Sequence, residues 1–123
     1  MFANYRWQRD PRNPVLPPDP HSTCESTRCM NPFVVNVDSE YRLFYSGGDN
    51  GGVQRICLAT ASVDTPTQLK RHGVILYVGK PGSFDARWCV LPCVHRIGAK
   101  WHLYYSGHEG SDLGLQSFPG IGL

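Results

Sequence analysis

Residues 41–47 read YRLFYSG, and residues 101–107 read WHLYYSG. Both stretches place aromatic residues and a leucine before a Ser-Gly pair, and they stand sixty positions apart. A pattern that recurs at a fixed distance is the sequence signature of proteins built from stacked structural units. The spacing of these two stretches therefore sets the register in which the chain is compared with itself.

The repeat extends well beyond the two stretches when the chain is aligned with itself at a spacing of sixty, without gaps. Between residues 12–47 and 72–107, eight of 36 positions are identical, which is more than chance alignment gives. Conservative pairs fall between the identities, and among them Glu25 aligns with Asp85. Each unit therefore carries an acidic residue at the same place in an otherwise divergent sequence.

Each unit is predicted to form short β-strands and no long helix. Thirteen glycines and ten prolines interrupt the chain, and aromatic and β-branched runs lie between these turn signals. In the first unit the strand-like runs are residues 28–37, 40–46, 53–61 and 69–77. In the second unit they are residues 88–97, 100–106 and a run from about Leu115 to Leu123. Four antiparallel strands per unit of this length are typical of a β-propeller blade.

The chain is therefore interpreted as all-β, with about two blades of a β-propeller in residues 1–123. An outer strand is expected at 7–17, a first blade at about 24–77 and an incomplete second blade at about 84–123. Because propellers have about four to eight blades, we expect the ring to be completed by further blades of a longer protein or by a second copy. A small β-barrel or sandwich is the alternative, but neither has a reason to repeat one pattern without gaps.

The composition excludes several classes of partner and cofactor. The net charge is +2 with acidic and basic residues interspersed, so no basic stripe for nucleic acid is visible. No apolar run is long enough for a membrane helix, and no signal peptide is visible at the N-terminus. Five cysteines without a CxxC pair favour buried free thiols in a reducing compartment over a metal site. We therefore expect no metal or cofactor and a cytoplasmic location, although a longer parent protein could be secreted.

The motifs along the chain follow a recognisable order: NPVL, an acidic residue, NPFVV, YRLFYSGG, RICLATA, GVIL, GSFD, LPCV and WHLYYSG. This order resembles that of the five-bladed β-propeller glycosidases, the superfamily of β-fructosidases, α-arabinanases, β-xylosidases and related mannoside phosphorylases. The resemblance covers nearly the whole chain and is strongest to bacterial members. It implies a five-bladed propeller that binds a carbohydrate in a funnel on its axis, where carboxylates from successive blades hydrolyse glycosidic bonds.

Glu25 and Asp85 are the candidate catalytic residues of such a glycosidase. Glycoside cleavage requires one protonated and one ionised carboxyl group on either side of the scissile bond. Both acids stand just before a predicted inner strand, and the resemblance implies that the general acid comes from a further blade. The alternative is that both are turn or cap residues that hydrogen-bond backbone amides.

Six further residues near the inner strands are candidates for substrate binding: Asp19, His21, Arg28, Asn31, Arg87 and Trp88. Solvated loop positions, surface ion pairs and interblade packing are the alternatives for them. Asn31 and Leu91 precede the inner-strand prolines, where many enzymes of the superfamily have Asp, and neither side chain can transfer a proton. This departure motivates a second hypothesis, a non-catalytic propeller that binds carbohydrate or a protein partner.

Overall fold

The computed structural model describes residues 4–111 and 120–123. They contain the strands β1 (Arg28–Val37), β2 (Glu40–Gly48), β3 (Gln54–Ser62), β4 (Lys70–Leu76), β5 (Trp88–Ile97), β6 (Lys100–His108) and β7 (Gly120–Gly122). The predicted all-β class is confirmed. Within the described ranges, no helix has the length and apolar character needed to cross a membrane.

The seven strands form one sheet with two antiparallel parts. Strands β1 to β4 pair in chain order and make the first unit, and β5, β6 and β7 pair in chain order and make the second unit. A single parallel bridge between Gln54 of β3 and Trp88 of β5 joins the two units within the sheet. The arrangement of two successive antiparallel units agrees with the repeat read from the sequence.

The two units repeat each other's backbone geometry at the spacing of sixty. The register of β1 against β2 is the same as that of β5 against β6. A β-bulge interrupts β1 and another interrupts β5, and in them Asn31 has a φ of 54° and Leu91 a φ of 57°. A left-handed backbone is unfavourable for leucine. Because Leu91 adopts it at the position equivalent to Asn31, we attribute the conformation to the shared fold of the two units and not to the residue type.

One predicted strand is absent from the described residues, and another lies mostly outside them. The structure places no strand at residues 7–17, which form a turn at Pro11 and Arg12 and otherwise lie outside the sheet. The prolines of this segment lack the N–H group that a paired strand needs. The last predicted run falls largely on residues 112–119, outside the described residues, and only β7 at its end is seen.

The five cysteines are all free, but they are not all buried. Cys57 and Cys89 are fully buried, Cys24 and Cys29 are partly buried, and Cys93 is exposed. Cys93 is exposed because it pairs with Tyr104 on the face of the second unit that points away from the first, whereas the next residue, Val94, pairs with Leu103 on the face that packs against the first unit. The prediction of buried thiols is therefore wrong for Cys93.

The core consists of two clusters on opposite faces of the first unit. One cluster contains Leu43, Tyr45, Cys57 and Ala59, with Leu16 of the preceding segment packed against it. The other lies between the units, where Ile56 of β3 packs against Cys89 and Tyr105 of the second unit. One face of the first unit thus covers one face of the second.

Candidate functional site

Glu25 lies in the segment that leads into β1, and only 2% of the residue is exposed. The hydroxyl of Tyr45 donates a hydrogen bond to Oε2 of Glu25. Nε of Arg71, from β4, lies 3.1 Å from Oε1 in an ion pair. Each oxygen of the carboxylate therefore has its own partner, one from β2 and one from β4.

Asp85 occupies the same position in the second unit and is 7% exposed. The hydroxyl of Tyr105 donates to its Oδ2 at 2.7 Å, and the hydroxyl of Ser83 donates to its Oδ1 at 2.8 Å. The thiol of Cys89 lies 3.8 Å from Oδ2, as that of Cys29 lies 4.0 Å from Oε2 of Glu25. We call Glu25 with Tyr45, and Asp85 with Tyr105, the acid–tyrosine pairs of the two units.

The Tyr-Ser-Gly motif explains how each pair fits together. Side chains two positions apart in a strand lie on the same face, so Tyr105 and Gly107 both face the segment that carries Asp85. The tyrosine reaches the carboxylate, and the glycine leaves room for the acid, since a Cβ on Gly107 would stand 2.9 Å from Cβ of Asp85. A Cβ on Gly47 would likewise stand 3.2 Å from Cβ of Glu25. The tyrosine of the motif thus supplies the hydrogen bond to the buried acid, and the glycine supplies the space for it.

Asp85 is held in its ionised form. Burial raises the pKa of Asp85, but the hydrogen bonds from Tyr105 and Ser83 act in the opposite direction, and the result is a pKa below the usual value. Burial, with the hydrogen bond to Asp85, raises the pKa of the Tyr105 hydroxyl far above its usual value. Tyr105 therefore remains a donor and Asp85 an acceptor over the whole neutral range.

Removal of the Tyr105 hydroxyl is expected to make stability less dependent on acid pH. Because the pKa of Asp85 is lower in the folded than in the unfolded chain, its ionisation stabilises the fold above the unfolded value of 3.8, and this contribution is lost as the pH falls through the folded pKa. We expect Tyr105→Phe to cost about 2 kcal/mol near neutral pH, since a buried charge loses a donor. The cost should shrink as the pH is lowered past 3.8.

The measurement is urea unfolding of Tyr105→Phe and the unchanged chain across this pH range. Tyr104→Phe is the matched control, because Tyr104 is exposed and lies on the opposite face of β6. It should change stability little at any pH. A cost of Tyr105→Phe that is the same at neutral pH and in acid would contradict the role of Asp85 ionisation.

Arg87 and Trp88, two of the candidate binding residues, contact the turn between β2 and β3. Nη2 of Arg87 donates to the carbonyl of Gly51 at 2.6 Å, and Nε1 of Trp88 donates to the carbonyl of Gly52 at 2.8 Å. The Trp88 ring also lies 5.1 Å from that of His108. These contacts join the second unit to a turn of the first.

The other four candidates lie at or before the start of β1. Asp19 accepts a hydrogen bond from the N–H of His21 at 3.0 Å, and the side chain of His21 is exposed. Arg28 is exposed at the first position of β1, and Asn31 is partly buried at the bulge. Asp19 and His21 therefore lie in the segment before β1, and Arg28 and Asn31 lie in its first four residues.

Arg71 is the site residue that the sequence analysis missed. It pairs with Glu25. Arg28 and Arg87, for which an ion pair with these acids was the alternative to substrate binding, do not appear among the ion pairs of the described residues. No short motif connects Arg71 in β4 with an acid that precedes β1. The recurrence of both the acid and the tyrosine at a spacing of sixty was the available signal for the acid–tyrosine pairs.

No protein-family model matches the chain, and a search of curated proteins finds no significant match. In the part of the chain that the structure describes, no three His, Cys, Asp or Glu side chains come together in a way that could hold a metal ion.

Proposed function

We propose that this chain is a non-catalytic, carbohydrate-binding part of a β-propeller, in which Glu25 and Asp85 serve the fold. The observation that carries this proposal is the burial of both acids, each of which accepts a hydrogen bond from a tyrosine at the same register. A catalytic carboxyl group must reach the proton it transfers or the atom it attacks. Both carboxylates are instead covered by side chains of their own unit.

The proposed binding surface lies where the inner strand β1 begins. Asn31 sits at the bulge of β1, where its side chain is partly exposed. Bulges redirect side chains next to binding sites. The Asn31 amide offers both a donor and an acceptor to sugar hydroxyls, and the exposed Arg28 and His21 add donors. These groups support recognition of an oligo- or polysaccharide.

Asn31→Gly is expected to weaken carbohydrate binding about tenfold, because loss of one or two hydrogen bonds costs roughly 1.4 kcal/mol. Glycine adopts the left-handed backbone without strain, so the change removes the amide and keeps the bulge. Calorimetric titration with a panel of plant and bacterial glycans provides the measurement. Asn36→Ala, an exposed asparagine further along β1, is the control and should bind as the unchanged chain does. Absence of binding to every glycan of the panel would reject the proposal.

Glycoside hydrolysis is the second candidate function. The lowered pKa of Asp85 supports it, because a catalytic base or nucleophile must be ionised. In that case a substrate would have to displace the Tyr105 hydroxyl from the carboxylate. Release of sugar from aryl glycosides, abolished in a folded Asp85→Asn variant, would establish hydrolysis and reject the non-catalytic proposal.

A further inference from the structure

Equivalent faces of the two units differ strongly in burial. In the second unit, Val94 pairs with Leu103 and is 6% exposed. Its counterpart in the first unit, Val34, pairs with Leu43 and is 53% exposed. The two valines occupy the same register of equivalent strands. The difference therefore comes from what covers each face.

The face of the second unit that carries Val94 and Leu103 is covered by the face of the first unit that carries Ile56. Ile56 is fully buried against Cys89 and Tyr105. The backbone N–H of Leu91 donates to the buried hydroxyl of Ser46 at 3.1 Å, across the two units. The contact between the two units thus combines the apolar packing of Ile56 with a hydrogen bond from Leu91 to Ser46.

The face of the first unit that is equivalent to this covered face of the second unit forms an open apolar groove of about 560 Å³. We call it the groove, and its lining includes Met30, Pro32, Val34, Tyr41 and Leu43. The counterpart of Tyr41 in the second unit is Trp101, which lines the cleft between the units together with Phe44. The groove is therefore equivalent to the surface of the second unit that the first unit covers.

Among the described residues of the second unit, Cys93 and Tyr104 are exposed on the face that is turned away from the first unit, which we call the outer face. They are the counterparts of Phe33 and Phe44, and Phe44 lies on the face of the first unit that is turned toward the second. Ser106 is the counterpart of Ser46, the acceptor in the contact between the units.

We propose that the groove of one copy of this chain is covered by the outer face of a second copy, in the arrangement that the two units adopt within one chain. The hydroxyl of Ser106 would then accept a hydrogen bond from the N–H of Asn31 in the next copy, as Ser46 does from Leu91. Because the two surfaces differ, each association leaves one groove and one outer face free. Such head-to-tail contacts grow into rings or open chains.

Two charge substitutions test this arrangement by sedimentation equilibrium without any carbohydrate. The weight-average mass of the unchanged chain is expected to at least double its 13.8 kDa as the concentration approaches the millimolar range. Val34→Glu places a charge in the groove, and Tyr104→Glu places one on the outer face. Each variant alone should remain monomeric, because an association needs one intact surface of each kind.

The mixture of the two variants distinguishes head-to-tail from symmetric association. The intact outer face of Val34→Glu and the intact groove of Tyr104→Glu should combine into a 1:1 dimer and nothing larger. Ile75→Glu is the control, because Ile75 is exposed and does not line the groove, and it should associate as the unchanged chain does.

Three outcomes would overturn the proposal: an unchanged chain that stays monomeric at millimolar concentration, association that survives Val34→Glu, or variants that do not pair when mixed. Circular dichroism establishes that each variant is folded, and Met30→Glu replaces Val34→Glu if that variant does not fold. Carbohydrate binding is measured at dilution, where the chain is monomeric. Failure of one proposal therefore leaves the other standing.

Discussion

Glu25→Ala is expected to lower the free energy of unfolding by about 3–5 kcal/mol, the range for breaking a buried ion pair by removing one partner. The carboxylate of Glu25 is buried, pairs with Nε of Arg71 at 3.1 Å and accepts the hydroxyl of Tyr45. Its removal would leave Nε of Arg71 and the phenol hydroxyl of Tyr45 without this acceptor, although Nη2 of Arg71 would keep its hydrogen bond to the carbonyl of Pro17. A polar group stranded in this way retains the cost of its desolvation.

Glu40→Ala is the matched control for this change. Glu40 pairs with Nε of Arg42 at 3.1 Å, the same separation as in the Glu25 pair, but both side chains are exposed. Exposed ion pairs contribute about 0–1 kcal/mol, so we expect a small change. Urea unfolding of the two variants makes the comparison. Equal losses would show that Glu25 contributes no more than a surface acid and would favour a role for it outside the fold.

Gly107→Ala is expected to cost about 3 kcal/mol, at the upper end of the range for overpacking a well-packed core. The added Cβ would stand 2.5 Å from Cε2 of Phe84 and 2.9 Å from Cβ of Asp85. Neither group has free space to retreat into, because Phe84 stacks on Tyr105 with ring centroids 6.1 Å apart. Accommodation of the methyl group therefore disturbs the acid–tyrosine pair as well as the cluster between the units.

Gly51→Ala provides the control for the change of glycine to alanine. Gly51 is exposed, and the nearest atom to its added Cβ is a carboxylate oxygen of Asp49 at 3.3 Å. Surface changes of this kind stay within about 0.5 kcal/mol. Thermal or urea unfolding of both variants measures the difference. A Gly107→Ala variant as stable as Gly51→Ala would contradict the close packing of the Tyr-Ser-Gly motif against the acid.

Much of the fold was predictable because strand formation depends on local features of the chain. The observed bounds of β1 and β5 are the predicted ones, since β-branched and apolar runs end at clear turn signals. β2 and β6 each extend two residues beyond the prediction, through Gly48 and His108. The Ser-Gly pair suggests a turn by composition, yet Gly48 still pairs with Arg28 and His108 with Trp88.

The candidate site was predictable in position but not in role. The spacing of sixty identified Glu25 and Asp85 as equivalent residues, and it identified the Tyr-Ser-Gly motif separately. The contact between acid and tyrosine joins residues twenty positions apart in the chain, and the contact with Arg71 joins the start of the first unit to its last strand. Such contacts depend on how strands pair, which no local pattern in one sequence records.

The repeat, its register and the strands of each unit follow from residue type and spacing, so they could be read from the amino-acid sequence. Which side chains are buried, and what the acids contact, depends instead on how the strands and units pack. Val34 and Val94 show the reason most simply: they are the same residue at the same register, yet the first is exposed and the second is buried. Burial depends on the neighbour that covers a face, and the first unit covers Val94 while Val34 lines the open groove.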